Sequence, residues 1–264
     1  MDHFETILFS TQKGYAKIEL NRPQTLNSFN QKMHDEIQSI MPEIRTNPDI
    51  RCLLITGAGK AFSAGQDLND RKPVAPGEKR DLAASLDKNY YPLINFITQL
   101  DKPVICAVNG VAAGGGSAIA LMCDIIIAAR SASFIPTFTK IGLMPDLGGT
   151  WYWPRLAGHA RAMAALLLAE KITAQQAADW GMIWKVVEDD LLKKEAQSIA
   201  ERLATMPPLA LAKTKQALLD SSTNTLQEQL ALERKGQLML GNTEDYAEGV
   251  KSFFEKRKPT FKGQ

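Results

Sequence analysis

The sequence predicts a mixed α/β chain, strand-rich in its first half and helical downstream of about Gly158. Three features carry that prediction. They are short apolar runs closed by glycine turns, a glycine-rich stretch of small residues between two such runs, and long Leu- and Ala-periodic segments near the C-terminal end.

Taken in order, Ile7-Leu8-Phe9 and Tyr15–Leu20 flank Gly14, and the second run alternates apolar with charged residues, the pattern of a hairpin with one buried face. Asn21-Arg22-Pro23 ends it. Met33, Ile37, Ile40, Met41 and Ile44 recur at helical spacing, with Ser28 and Asn30 available as caps. Cys52–Thr56 reads as a short buried strand ending at Gly57-Ala58-Gly59. The charged, proline-bearing stretch from Arg71 to Asp81 reads as a mobile surface loop. Leu82, Leu86, Leu93, Ile97 and Leu100 suggest a helix in which Pro92 makes a kink or a break. Pro103–Val108 and Asp124–Ala128 read as buried strands around a small-residue helix that Gly114-Gly115-Gly116 opens and that runs through Met122. Thr173-Ala174-Gln175-Gln176 has capping-box spacing and Gly181 is a plausible stop. Segments 190–205, 208–220, 224–240 and 243–257 are rich in helix formers, and no exact repeat points to a solenoid.

Composition narrows the class. The 264 residues carry 31 Lys and Arg against 29 Asp and Glu, a net charge of +2, which argues against a general nucleic-acid binder. Apolar residues at 45% and charged ones at 23% are those of an ordinary globule. Cys52, Cys106 and Cys123 form no CxxC pair and fit a reducing, cytoplasmic compartment. The start, Met1-Asp2-His3-Phe4-Glu5, lacks the basic region of a secretory signal. The small-apolar run from Gly110 to Cys123 is shorter than the roughly 18–20 residues that span a bilayer. Only His3, His34 and His159 are present, with no His-x-x-x-His or Cys/His cluster, so a metal site has little support.

Three segments have the composition of a reaction site, and each has a plainer reading. Phe62-Ser63-Ala64-Gly65-Gln66-Asp67-Leu68 follows a strand with small residues that let backbone N–H groups face a ligand, or is an ordinary strand-exit turn. Asn109 to Ser117 opens a helix whose free N–H groups suit an oxyanion or phosphate, or packs a small-residue helix closely on a sheet. It has neither the lysine of a phosphate loop nor GxGxxG spacing. Met144 to Thr150 places Asp146 before Gly148-Gly149, as an acid/base carboxylate or as a helix N-cap. Ser117 is not in a Gly-x-Ser-x-Gly elbow, and nothing in the sequence links it to His34 or His159.

In this order the three segments resemble the crotonase (enoyl-CoA hydratase/isomerase) superfamily. The resemblance runs from Tyr15–Leu20 through Asn21-Arg22-Pro23 to Phe253–Pro259. It implies a spiral of strand-strand-helix turns over residues 1–200 and a helical trimerisation subdomain over 201–264. It also implies a homotrimer or dimer of trimers, and an acyl-CoA thioester as substrate with no further cofactor. The thioester oxygen would meet two backbone N–H groups, those of Gln66 and Gly115, which stabilise an enolate. Arg22, Ala64, Gln66, Asp67, Leu68 and Lys256 would contact CoA, the last within the basic run Lys256-Arg257-Lys258. Arg22 is equally a surface turn residue, and the basic run equally a cationic helix end. Phe62, Tyr90, Phe134, Phe138 and Trp151 are available to an aromatic acyl group, or are simply core.

Hydratases of this family use two glutamates, whose positions here hold Ala118 and Phe138. Asp146 instead occupies the place of the single carboxylate of family isomerases and of a dehalogenase. The dehalogenase reading makes Asp146 a nucleophile paired with a histidine, and neither Phe62-Ser63-Ala64 nor Phe138-Thr139 supplies one nearby. Gly65 to Arg71, Gly142 to Trp151 and Ala178 to Trp184 look like the subgroup that isomerises ring-1,2-epoxyphenylacetyl-CoA to its oxepin form in bacterial phenylacetate degradation and shifts double bonds in unsaturated acyl-CoAs. The resemblance therefore implies an acyl-CoA isomerase. The alternatives are a hydratase-type activity and a non-catalytic CoA-ester binder in a pathway complex.

Overall fold

The computed structural model describes residues 4–71 and 81–264. Of the loop expected between Arg71 and Asp81, only those two ends fall within the described residues. Strands β1 (Ile7–Gln12) and β2 (Tyr15–Leu20) form the antiparallel hairpin, with Ile7 opposite Leu20. Helix α1 (Gln31–Thr46) starts where Asn30 Oδ1 accepts the Met33 N–H at 2.9 Å, so Asn30 and not Ser28 is the cap. Its buried stripe is Met33, His34, Ile37, Ile40 and Ile44.

From here the chain winds. Strands β3 (Cys52–Gly57) and β4 (Ala61–Ser63) are followed by the short α2 (Ala83–Ser85), a π-helical turn at Leu86–Tyr90 and α3 (Tyr91–Gln99). The expected kink at Pro92 takes this form: Pro92 is the second residue of α3, which continues directly from the π-helical turn, and the irregularity falls in the five residues before Tyr91. Strands β5 (Val104–Val108) and β6 (Val111–Ala113) lead to α4 (Gly115–Leu121), and β7 (Ile125–Ala129) to β8 (Ser133–Ile135). Each turn of the winding gives one strand to each of two sheets. In the first, β3, β5 and β7 run parallel; in the second, β4, β6 and β8 do. This is the strand-strand-helix spiral. Parallel strands covered on both faces read as unbroken apolar runs, and all five residues of β5 are buried.

Helices α5 (Gly149–Ala157) and α6 (His159–Leu168) follow, then β9 (Ile172–Thr173), α7 (Ala174–Asp179) and β10 (Lys185–Val187). Strand β9 ends the second sheet and β10 the first. The Thr173–Gln176 capping box is formed in full. Helix α8 (Leu192–Ala204) lies against β3, β5 and β7, so the expected boundary at 200/201 falls inside a helix that packs on the sheet. Three helices complete the chain: α9 (Pro208–Asp220), α10 (Leu226–Leu240) and α11 (Glu244–Phe254). Lys215 pins α9 to the spiral. Its Nζ meets Asp124 Oδ2 at 2.8 Å and donates to the carbonyls of Ile97 and Lys102. Among the described residues no helix is long and apolar enough to cross a membrane.

Candidate active site

Two chain segments meet where β4 and β6 end. Gly65 has φ +85°, and a Cβ there would lie 2.8 Å from the Ala113 carbonyl oxygen and 3.0 Å from the Gly115 nitrogen. Only glycine permits both that backbone and that approach. Phe29 straddles Gln66 from the other side: its N–H donates to Gly65 O at 2.7 Å, and its carbonyl accepts the Asp67 N–H at 2.9 Å. That alternation turns the Gln66 N–H away from Phe29. Gly115 is the first residue of α4, where a helical N–H has no partner within the helix. Neither amide has a hydrogen-bond partner among the described residues. Gly116 explains why the glycine run cannot carry side chains, because a Cβ there would lie 2.4 Å from Ser63 O.

The side chain of Gln66 is braced. Its Nε2 donates to the carbonyls of Phe29 and Asp67, and its Oε1 accepts from Tyr90 Oη at 3.0 Å. Burial raises the Tyr90 hydroxyl above its ordinary value, and the charge of Asp146 adds to the effect. His34 packs edge-on against Tyr90 with ring centres 4.4 Å apart, and burial pushes its imidazole down to about 4. It is a buried, neutral ring whose Nε2 has no hydrogen-bond partner among the described residues, so it forms no hydrogen-bonded pair with Ser117.

Beside these amides lies a cavity of about 520 Å³. Asp146 reaches it from a turn in which Leu147 takes φ +51° and the Gly149 N–H donates to the Asp146 carbonyl at 2.7 Å. The N-cap of α5 is Gly148, so the N-cap reading of Asp146 does not hold. Asp146 Oδ1 is buried and has no hydrogen-bond partner among the described residues. Burial pushes this carboxyl up to about 6, against the pull of a backbone N–H and the charge of Arg71.

Of the residues expected at the site, Ala64, Gln66, Leu68, Tyr90, Gly115, Phe138 and Asp146 line the cavity. Others do not. Arg22 is already engaged, with Nη1 donating to Asp67 Oδ2 at 2.8 Å and to the Ser28 carbonyl at 2.7 Å. Asp67 also accepts from the backbone and side chain of Asn69. Burial opposes ionisation of Asp67, yet these bonds hold its carboxyl below the usual range. This pair locks the Gln66 loop onto the turn after β2, and both residues lie outside the cavity lining. Phe62 and Phe134 are fully buried in the core between the sheets. Trp151 faces outward, with the Arg155 guanidinium 3.9 Å above its ring. Lys256 lies beyond α11 and is not among the lining residues, and the neighbouring Arg257 is held by Glu248 and Glu255. Sequence reasoning missed Arg71, Leu82, Leu86, Thr137, Ile141 and Leu143 in the lining. The four-residue spacing of Leu82, Leu86 and Tyr90 was the available sign.

This architecture matches known proteins along its length. The enoyl-CoA hydratase/isomerase family model fits residues 10–264. The chain belongs to that family. It is 51% identical over 260 residues to the 1,2-epoxyphenylacetyl-CoA isomerase of Escherichia coli K12, covering 98% of this chain and 99% of that one. It is 42% identical to a probable enoyl-CoA hydratase of Rhodobacter capsulatus, covering 99% of each. The crystal structure of an enoyl-CoA hydratase from Bacillus anthracis superposes with a TM-score of 0.92 at 35% identity, covering 98% of this chain and 100% of that one. Within this enoyl-CoA hydratase/isomerase chain, Ala118 and Phe138 stand where the family hydratases are expected to carry glutamates. Ala118 is buried in α4 and Phe138 lines the cavity. Among the described residues no group of His, Cys, Asp or Glu side chains is placed to hold a metal.

Proposed function

We propose that the protein is an acyl-CoA isomerase. Asp146 takes a proton from the carbon next to the thioester and returns it to another carbon, while the Gln66 and Gly115 N–H groups hold the enolate oxygen. The observation that carries this reading is Asp146 itself. It is the single carboxylate of the described cavity lining, with an unpartnered Oδ1 and a pKa lifted to about 6, near that of a group exchanging protons at neutral pH. The two donors lower the cost of the enolate, and the same carboxyl then carries the proton to its destination. No atom enters or leaves overall.

The substrate we assign is ring-1,2-epoxyphenylacetyl-CoA, converted to its oxepin form, with double-bond shifts in 3-enoyl-CoAs as a second activity. Its support is the 51% identity to the Escherichia coli isomerase and an acyl cavity walled by Phe138, Tyr90 and several leucines. Hydration, the reading that several relatives' names favour, needs a second group to position water, and Ala118 and Phe138 cannot move a proton. The test is turnover by Asp146→Asn, expected to vanish while binding of the CoA ester persists; near-wild-type turnover would sink the assignment. Incubation of crotonyl-CoA in ¹⁸O-labelled water separates isomerase from hydratase, because isomerisation takes up no solvent oxygen. An active wild type with an inactive Asp146→Asn also rules out a purely binding role.

The assembly we assign is a homotrimer or dimer of trimers. The outward Leu218, Leu226, Leu238, Phe253 and Phe254 of the last helices would be covered there, and Lys256 would face the CoA of a neighbouring subunit. Sedimentation of the purified protein as a monomer would refute it. Three free, buried cysteines suit a reducing cytoplasm.

A further inference from the structure

Arg71 closes the 3-10 turn Leu68–Arg71 and lines the cavity with Asp146, Tyr90 and Phe138. It is the one cationic side chain in the described lining. Its guanidinium is held from the wall, with Nη2 donating to Ser85 Oγ at 2.7 Å and more weakly to Gln66 Oε1 at 3.4 Å. Both bonds use a single nitrogen. A guanidinium carries five N–H donors in a planar fork, so it has capacity for an acceptor inside the cavity. Its positive charge bears on Asp146, Tyr90 and His34, and it shares the cavity lining with the carboxylate assigned to proton transfer. Leu68, Leu82, Leu86 and Leu143 make much of the remaining wall apolar. A charge held against such a wall is costly unless something polar meets it. A hydrocarbon acyl group would offer no acceptor to the N–H groups that Ser85 and Gln66 leave over, and an acyl group with an oxygen would.

We propose that Arg71 is a specificity-determining residue that hydrogen-bonds an acceptor oxygen on the acyl ring, so that the cavity selects oxygenated cyclic acyl-CoAs over hydrocarbon ones. The proposal rests on the reading of this cavity as an acyl-CoA site. With Asp146 at the carbon next to the thioester and Arg71 at the ring oxygen, a bound ring has one orientation that satisfies both. The competing view is that Arg71 only steadies Gln66 from behind.

Two saturated thioesters with no reacting bond separate these views: tetrahydropyran-2-ylacetyl-CoA, with a ring oxygen, and cyclohexylacetyl-CoA, with a methylene in its place. Their dissociation constants are measured by calorimetry on the wild type, Arg71→Met and Arg71→Lys. The preference for the ether over the carbocycle is expected to fall about tenfold in Arg71→Met, the scale of one hydrogen bond to a charged group. Arg71→Lys is expected to lose about threefold. A preference within twofold of wild type in Arg71→Met overturns the proposal, including the case in which both thioesters weaken together. If Arg71→Met does not fold, an unchanged preference in Arg71→Lys has the same force. Failure of the isomerase reading would show separately, as retained turnover by Asp146→Asn.

Discussion

The Tyr90 hydroxyl donates to Gln66 Oε1 at 3.0 Å, so the residue whose amide faces the cavity is braced by the cavity's own wall. Burial and the charge of Asp146 keep that hydroxyl protonated, hence a donor, across the working range. Tyr90→Phe removes the brace and leaves the amide in place. We expect kcat to fall about 3- to 10-fold, the value of one neutral hydrogen bond, with KM within about twofold. Steady-state kinetics on a 3-enoyl-CoA check it, and an unchanged kcat would show that Phe29 and Asp67 hold Gln66 unaided.

Asp146 must be ionised to accept a proton. The rate constant kcat/KM is therefore expected to rise with pH to a midpoint near 6 and then level off. A midpoint near the ordinary carboxylate value of 3.8 would mean that the cavity does not desolvate the group.

The same burial makes a prediction about stability. Because the folded state raises this carboxyl above its unfolded value of 3.8, ionisation costs the native state nothing below that value. The cost grows between 3.8 and about 6 and is complete above. Asp146→Asn is expected to be more stable than wild type at pH 8 by about 1–3 kcal/mol, an upper range set by about 1.4 kcal/mol per pH unit. The difference should vanish by about pH 3.5. Urea unfolding at both pH values measures it.

At Gly65 a methyl group meets the Ala113 carbonyl and the Gly115 nitrogen, at a φ of +85° that L residues resist. Gly65→Ala is expected to push the two amides apart and cost about 100-fold in kcat, as the loss of one oxyanion donor does. A crystal structure of the variant would show the separation; full activity would mean that the oxyanion lies elsewhere.

Lys215 and Asp124 link α9 to the spiral, the lysine side chain mostly covered and the carboxylate partly open to solvent. Burial raises the Asp124 carboxyl, and Lys215 opposes that effect. Lys215→Met removes the donor to the carboxylate and to the Ile97 and Lys102 carbonyls and is expected to cost about 1–2 kcal/mol in urea unfolding. Adding Asp124→Asn, which keeps an acceptor for the Val104 N–H, should restore most of it. A mild single variant with no recovery would show that the pair does not anchor the helix.

What was legible in the sequence follows from range. Strand β5 and the Thr173 capping box declare themselves within a few residues, because burial on both faces and a reciprocal cap are local patterns. The glycines of the two site segments were visible too, but not their reason, since Gly65 faces Ala113 across the fold. Arg22 looked available to a phosphate because its partner Asp67 is 45 residues away. Phe62 and Phe138 are the same residue type. Only the winding decides that the first faces the core and the second the cavity. Asp146 resembled a cap until its turn placed Gly148 at the helix start and left the carboxyl facing the cavity.

The donors that would hold the thioester belong to the main chain at the ends of β4 and β6. The walls come mostly from side chains in three other stretches, Leu68–Arg71, Leu82–Tyr90 and Thr137–Leu147. No codon change at Gln66 short of proline removes its amide hydrogen. The walls can therefore be rewritten residue by residue while the grip on the thioester passes unaltered from one variant to the next. A designer seeking a new acyl specificity could graft those three stretches from a relative.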